Sequence, residues 1–353
     1  MTFFRNNIDR MTGYVPGEQP SAGQKVIKLN TNENPYPPSP AAMKVLHCFD
    51  GELLRRYSHP TARAFREAAA RVLDVPAEWV LPGNGSDELL TMIFRACTDP
   101  GRKAAYPVPT YTLYRTLAEI QAAEVAEVPF DEDFHLPVDG LAEAKAAVTL
   151  VAPPNAPSGT AVPRGQLDQL ARRAAGLLVV DEAYVDFADY HVLDLARSHE
   201  NVIVLRSLSK GYSLAGLRVG FGVANPTIID GLVKVKDSYN VGAVPCAAAA
   251  AAFEDRPYRD RCVEKVKASR AKLAGELERL AFRVWPSAAN FLLVRPPDGN
   301  AESIYECLKQ RGILIRYFNR PPLEDKLRIS IGTDEQNAAL VRAIGEILAG
   351  AGE

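Results

Sequence analysis

Apolar residues along this chain recur with two alternating periods. From Thr61 the segment TARAFREAAARVL repeats them one helical turn apart, and Trp79-Val80-Leu81 is a brief apolar strand. It leads into PGNGSDELLTMIFRAC, a glycine-rich turn followed by an amphipathic helical pattern. Strand, glycine turn and helix in this order suit a phosphate, because the first N–H groups of a helix point outward beside its positive dipole end. The alternation continues with strands at Lys103–Tyr106, Val148–Ala152, Leu177–Asp181 and Val202–Leu205, and helices at Thr110–Ala122 and Gln166–Ala175. This pattern predicts an α/β fold with a mostly parallel sheet between helices. The apolar run Val219–Ala224 follows a short connection and is expected to enter the same sheet antiparallel, which makes the sheet mixed.

Beyond Ala247 an alanine run and EDRPYRDRCVEKVKASRAKLAGELERL predict one long or two successive helices, with alternating charges on a solvated face. Short strands at Phe282–Trp285, Phe291–Val294 and Leu327–Ile331, with helices at Ala301–Arg311 and Glu335–Leu348, read as a smaller α+β domain. The first fifty residues, centred on KLNTNENPYPPSP, are too rich in Asn, Pro and Ser for a regular period and read as an extended arm. The expected organisation is an arm over 1–50 that joins the small domain, a large domain over 51–245, and a small domain over 246–353. With no linker of low complexity, the two lobes are expected to share an extensive interface.

Composition narrows the chemistry. The 353 residues carry 41 basic and 43 acidic side chains, so no basic field exists to gather nucleic acid or anionic lipid. The five cysteines are scattered and never form a Cys-x-x-Cys pair, which argues against a disulfide framework or a thiolate metal site and for a reducing compartment. The uncharged stretch Ser238–Phe253 is too short to span a bilayer, and the N-terminus lacks the apolar core of a targeting segment. A cytoplasmic enzyme acting on small molecules is the expectation, with no metal, since the five histidines show no ligand spacing.

The segment VLRSLSKGYSLAGLRVG is the most informative. It sets Lys210 just beyond a buried strand, with hydroxyls at Ser207 and Ser209 and a cation at Arg218. Poor solvation lowers a lysine's pKa and favours attack on a carbonyl. A lone lysine of this kind is more often structural; the hydroxyls and Arg218 add donors for a phosphate beside the amine. Upstream, LLVV ends in Asp181-Glu182-Ala183-Tyr184, a carboxylate and a phenol at the carboxyl edge of the sheet, where open α/β proteins bind ligands. Asp at a strand end is also a common turn former. Facing a pyridine nitrogen, it would hold that nitrogen protonated. Gly85 and Ser86 open the helix that completes the phosphate cup.

Taken in order, GYVPGEQP, LNTNENP, GNGSDE, YPVPTYTLY, PNAPSG, VVDEAYVDF, SLSKGYSLAGLRVGF, ILIRYF and LRISIGT resemble the fold-type I aminotransferases that use pyridoxal phosphate, and among them the histidinol-phosphate aminotransferase family. The resemblance spans nearly the whole chain. It implies that Lys210 binds the cofactor covalently and shuttles the proton, that Asp181 pairs with the ring nitrogen, that Tyr184 bonds the ring hydroxyl and that Tyr111 stacks on the ring. The N–H groups of Ser86 and Asp87, after Gly85, with Ser207, Ser209 and Arg218, would hold the phosphate. Tyr57, in RRYSHP, would reach the phosphate of a neighbouring subunit, which implies a homodimer. Arg328, with Arg316, would grip the substrate anion, while Tyr14, Asn32 and Glu33 close over the substrate and Glu33 meets an imidazole. A surface ion pair is the plainer reading of Arg316.

One position departs from the family's Asn-Asn-Pro-Thr-Gly, because Asn155-Ala156-Pro157-Ser158-Gly159 has Ala156 where an asparagine would contact the ring hydroxyl. Either Asn155 reaches in through a shifted turn or Tyr184 carries that bond alone; a turn role beside proline serves Asn155 equally well. The reaction implied is transamination between histidinol phosphate and 2-oxoglutarate in histidine biosynthesis. An aromatic amino-acid aminotransferase and a threonine-phosphate decarboxylase share the fold. A pyridoxal-phosphate-binding regulatory module is disfavoured by the neutral charge and the lack of an added helix-turn-helix.

Overall fold

The computed structural model describes residues 2–14, 17–21 and 23–350. Val15 and Pro16 of the GYVPGEQP motif lie outside the described residues. A seven-stranded sheet runs in the order Val80–Gly83, Gly220–Val223, Val202–Ser207, Leu177–Asp181, Val148–Val151, Lys103–Val108, Glu124–Pro129. Gly220–Val223 is antiparallel to both neighbours and the other strands share one direction, so the sheet is mixed as the sequence predicts. The carboxyl ends of Lys103–Val108, Val148–Val151, Leu177–Asp181 and Val202–Ser207 therefore lie along one edge.

Side-chain alternation explains why these runs are apolar throughout. Leu178, Val180, Val202 and Val204 enter the core on one face, and Val179, Ile203 and Leu205 enter the core on the other. A second, antiparallel sheet has the order Arg316–Tyr317, Leu327–Ser330, Phe291–Arg295, Arg283–Val284. It packs around Val266, Leu273, Leu277, Leu292, Val294, Leu327 and Ile329, with the long helix Arg256–Arg279 supplying the first three.

Several elements correct the sequence reading. The first fifty residues are not uniformly extended: Asn6–Arg10 and Pro40–His47 are helical, the latter with the Ser39 hydroxyl accepting from the Ala42 N–H and proline in its first turn. Ile27–Lys28 pairs in parallel with Ile313–Leu314, joining the arm to the C-terminal part of the chain. Glu124–Pro129 is an unforeseen edge strand, and Pro226–Val233 an unforeseen helix capped by Asn225. The alanine-rich region is two helices, Ala243–Glu254 and Arg256–Arg279, meeting at Asp255.

Candidate active site

The strand Val80–Gly83 turns at Gly85, φ +80°, into the helix Ser86–Cys97, whose entry carries no capping side chain. Its apolar stripe, Leu89, Leu90, Met92, Ile93 and Phe94, is buried, which fixes where the helix begins and where its first N–H groups point. Two glycines make the cup. A Cβ on Gly85 would lie 2.5 Å from Arg218 Nη2, and one on Gly220 would lie 2.4 Å from the Ser86 nitrogen. Arg218 Nη1 donates to Ser209 Oγ at 3.4 Å, and Arg218 Nη2 reaches Asp87 Oδ2 at 3.3 Å. The Ser207 hydroxyl accepts the Ser209 N–H at 3.2 Å, so both serines are held at the mouth of the cup.

Asp181 closes its strand, buried, with Oδ2 accepting the Tyr114 hydroxyl at 2.8 Å and Oδ1 the Ala183 N–H at 3.3 Å. Burial pushes its carboxyl up to about 6, against the lowering effect of the Tyr114 hydrogen bond. Lys210 lies beyond the next strand, and its Nζ donates to the Thr31 carbonyl at 3.2 Å. Burial, then the Arg328 charge, lowers its amine to about 8. Tyr184 accepts from Asn32 Nδ2 at 2.9 Å, and burial raises its hydroxyl. Tyr111 donates to Asp87 Oδ1 at 3.1 Å, and burial raises its hydroxyl too. Thus Asp87 ties the aromatic face of the site to the cup's arginine.

Across the cavity, Arg316 and Arg328 are directly opposed in register on adjacent strands. Like charges so placed repel unless an anion lies between them. Arg328 Nη2 donates to the Asn30 carbonyl at 2.9 Å, but its buried Nε has no partner among the described residues. Its guanidinium lies 5.3 Å from the Phe291 ring centre and 5.5 Å from that of Phe318, so apolar walls strengthen its field. Tyr14 meets the Tyr111 ring edge-on at 6.2 Å, and Glu33 pairs with Lys28 at 2.7 Å.

The cavity of about 1140 Å³ brings together every residue singled out from the sequence except Gly85, Asn155 and Tyr57. Gly85 shapes it from behind. The buried Asn155 side chain ties its own turn to the segment around Thr110, accepting from Thr110 Oγ1 at 2.9 Å and donating to Ser158 Oγ at 2.9 Å; Ala156 lines the cavity instead. Tyr57 is 84% exposed, stacked on Tyr239 with ring centres 4.5 Å apart. Sequence reasoning missed Tyr114, Ser330 and Asn34. Tyr114 stands one helical turn from Tyr111, a spacing that could have revealed it. Asn34 Nδ2 donates to the Lys210 carbonyl at 3.0 Å, a contact across 176 positions with no local signal.

A lysine past one strand end, an acid ending the neighbouring strand and an anion cup at a helix start define a fold-type I aminotransferase. The family described as Aminotransferase class I and II matches residues 24–344. A curated relative in Trichormus variabilis, histidinol-phosphate aminotransferase 1, is 59% identical over 98% of this chain and 99% of its own. Histidinol-phosphate aminotransferase of Citrifermentans bemidjiense is 45% identical over 98% and 99%. The crystal structure of the Sinorhizobium meliloti histidinol-phosphate aminotransferase in complex with pyridoxal-5'-phosphate superimposes with a TM-score of 0.91, 26% identity and 99% of both chains covered. The chain belongs to the histidinol-phosphate aminotransferases within the class I and II family.

Proposed function

We propose that the chain transfers the amino group of histidinol phosphate to 2-oxoglutarate, with pyridoxal phosphate as its cofactor, as a cytoplasmic homodimer. When bound, that cofactor supplies an aldehyde that exchanges amines and a ring that takes up the electron pair released at the substrate carbon. Ser86, Asp87, Ser207, Ser209 and Arg218 fit its phosphate, Tyr111 its ring face, Asp181 its ring nitrogen and Tyr184 its ring oxygen. At Lys210 the amine, lowered to about 8, is partly unprotonated near neutral pH. Its Nζ therefore serves as nucleophile, and as the base that takes the proton from the substrate carbon and later returns it. A ring cation opposite Asp181 would keep that desolvated carboxylate ionised.

The observation that carries the substrate reading is the opposed pair Arg316 and Arg328, which have no acidic partner among the described residues and line the cavity. Guanidinium forks suit a phosphate on the donor and a carboxylate on the acceptor equally, so one anion site serves both halves of the reaction. Glu33, which lines the same cavity as Tyr14 and Asn32, would meet an imidazole by exchanging its ion pair with Lys28. Among the described residues no helix is long and apolar enough to cross a membrane, and all five cysteines are free thiols, which supports a reducing compartment. The exposure of Tyr57 supports its reaching the cofactor phosphate of a second copy.

Steady-state rates with histidinol phosphate, phenylalanine and threonine phosphate test the reading. The highest kcat/KM is expected with histidinol phosphate, and Arg328→Ala is expected to raise KM more than it lowers kcat. Faster turnover of phenylalanine, or decarboxylation of threonine phosphate, would overturn the substrate assignment.

A further inference from the structure

We infer that Ser330 is a positioning residue which, through Asn32, fixes the direction in which Tyr184 offers its proton, so that the phenol donates into the cavity. The inference rests on the functional reading above, in which the ring oxygen of pyridoxal phosphate receives that proton. A backbone N–H only donates, and that of Asn32 points at Ser330 Oγ, 2.8 Å away. The serine oxygen thus accepts there, and its single hydrogen goes to Asn32 Oδ1 at 3.0 Å.

That donation turns Asn32 Oδ1 toward Ser330 and leaves Nδ2 facing the Tyr184 oxygen at 2.9 Å. An amide nitrogen cannot accept, so the Tyr184 hydrogen must point elsewhere. Among the described residues the Tyr184 hydroxyl has no other side-chain hydrogen-bond partner: its ring packs on Ala156, Ala289 and Phe291, the last edge-on at 5.1 Å, and Lys210 Nζ lies over the ring face, 5.7 Å from its centre. The cavity is what remains. Were the amide reversed, Tyr184 would donate to Oδ1 and turn away from the reacting atoms.

The relay is held rigidly. Asn32 is buried in the left-handed region, φ +56°, which asparagine tolerates better than most residues. Its carbonyl accepts from Asn290 Nδ2 at 2.9 Å, and the Ser330 N–H donates to the Leu29 carbonyl at 2.9 Å. Ser330 shares its strand with Arg328, so the residue that orients the phenol moves with the residue assigned to the substrate anion.

The test is a double-mutant cycle on the cofactor-loaded enzyme, read by pyridoxal phosphate affinity and by the pH midpoint of the bound cofactor's absorbance. Ser330→Ala is expected to weaken affinity roughly tenfold, the loss of one well-placed hydrogen bond. The midpoint should rise by about one pH unit, because a ring oxygen without its donor holds the neighbouring proton more tightly. Ser330→Thr should restore both values. In a Tyr184→Phe background Ser330→Ala should add nothing, since no proton is left to direct. Equal losses in both backgrounds would mark a merely structural serine, and a wild-type midpoint in Ser330→Ala would also overturn the inference. If Ser330→Ala does not fold, Asn32→Asp takes its place in the same cycle, as it accepts from Ser330 but cannot donate to Tyr184. Failure of the wild type to take up pyridoxal phosphate would instead sink the functional reading, and this inference with it.

Discussion

The covalent role proposed for Lys210 falls on an amine in a costly position. Its amine sits at about 8 because burial and the Arg328 charge oppose protonation, while Glu33 and Asp87 favour it. Between about 8 and the ordinary lysine value the unfolded chain binds more protons than the folded one, so this group's contribution to stability rises with pH across that window and is least favourable below it. Amine-selective labelling of the cofactor-free protein, followed by mass spectrometry, should give Lys210 a midpoint near 8. Arg328→Ala should move that midpoint upward, since a repelling cation is gone; an unchanged midpoint would show that the two groups do not interact. At Asp181 the logic runs the other way. Tyr114 supplies the hydrogen bond that offsets burial, so Tyr114→Phe should raise the carboxyl beyond about 6. A protonated acid cannot pair with a ring cation. Cofactor affinity in this variant should therefore fall about twofold at the acid's midpoint and roughly tenfold one pH unit below it, relative to its own value well above the midpoint, as measured by fluorescence titration.

At the scale of elements, the cup depends on backbone that no side chain can crowd. Gly85→Ala would place a methyl 2.5 Å from Arg218 Nη2 at a positive φ, pushing the arginine out of the cup. Its expected effect is a large loss of cofactor affinity with an unchanged far-ultraviolet circular dichroism spectrum. The helix Asp334–Leu348 provides the contrast: Thr333 and Gln336 form a reciprocal capping box remote from the cup, so Thr333→Ala should cost about 1 kcal/mol in urea unfolding while leaving cofactor affinity alone. The elements legible in the sequence included those buried on both faces, such as Val202–Ser207, which opens with the unbroken apolar run Val202–Leu205. Glu124–Pro129 escaped because an edge strand exposes its glutamates and loses the apolar signature. Pro40–His47 was hidden by the prolines around it, although Ser39 before Pro40 is itself a helix-start signal. At the site, Lys210 and Asp181 were legible because each falls at or just beyond a strand end, and Arg218 because it shortly precedes the strand Gly220–Val223 in the same segment. The Asn32–Ser330 contact was not, since 298 positions separate the two and only the folded arm brings them together.

For the whole molecule, the arm connects regions that are remote in sequence. Three consecutive residues meet three groups of the site: the Asn30 carbonyl accepts from Arg328, the Thr31 carbonyl from Lys210, and the Asn32 amide donates to Tyr184. Tyr57 alone among the proposed site residues faces fully outward, and this is what the dimer proposal must explain. A tyrosine that is 84% exposed contributes little to its own protomer beyond the stack on Tyr239, so Tyr57→Ala should leave thermal unfolding almost unchanged. If the ring serves a second copy, the same variant loses cofactor affinity, and the defect is complemented in trans. Tyr57→Ala and Lys210→Ala chains, unfolded together and refolded, give hybrid dimers in which one site holds both an intact lysine and an intact tyrosine while the other lacks both. With about half of the dimers hybrid, about a quarter of the wild-type sites should return, and activity at limiting cofactor should exceed that of either variant alone. Activity equal to the mean of the two separate variants would place Tyr57 outside any shared site and remove the main support for the dimer.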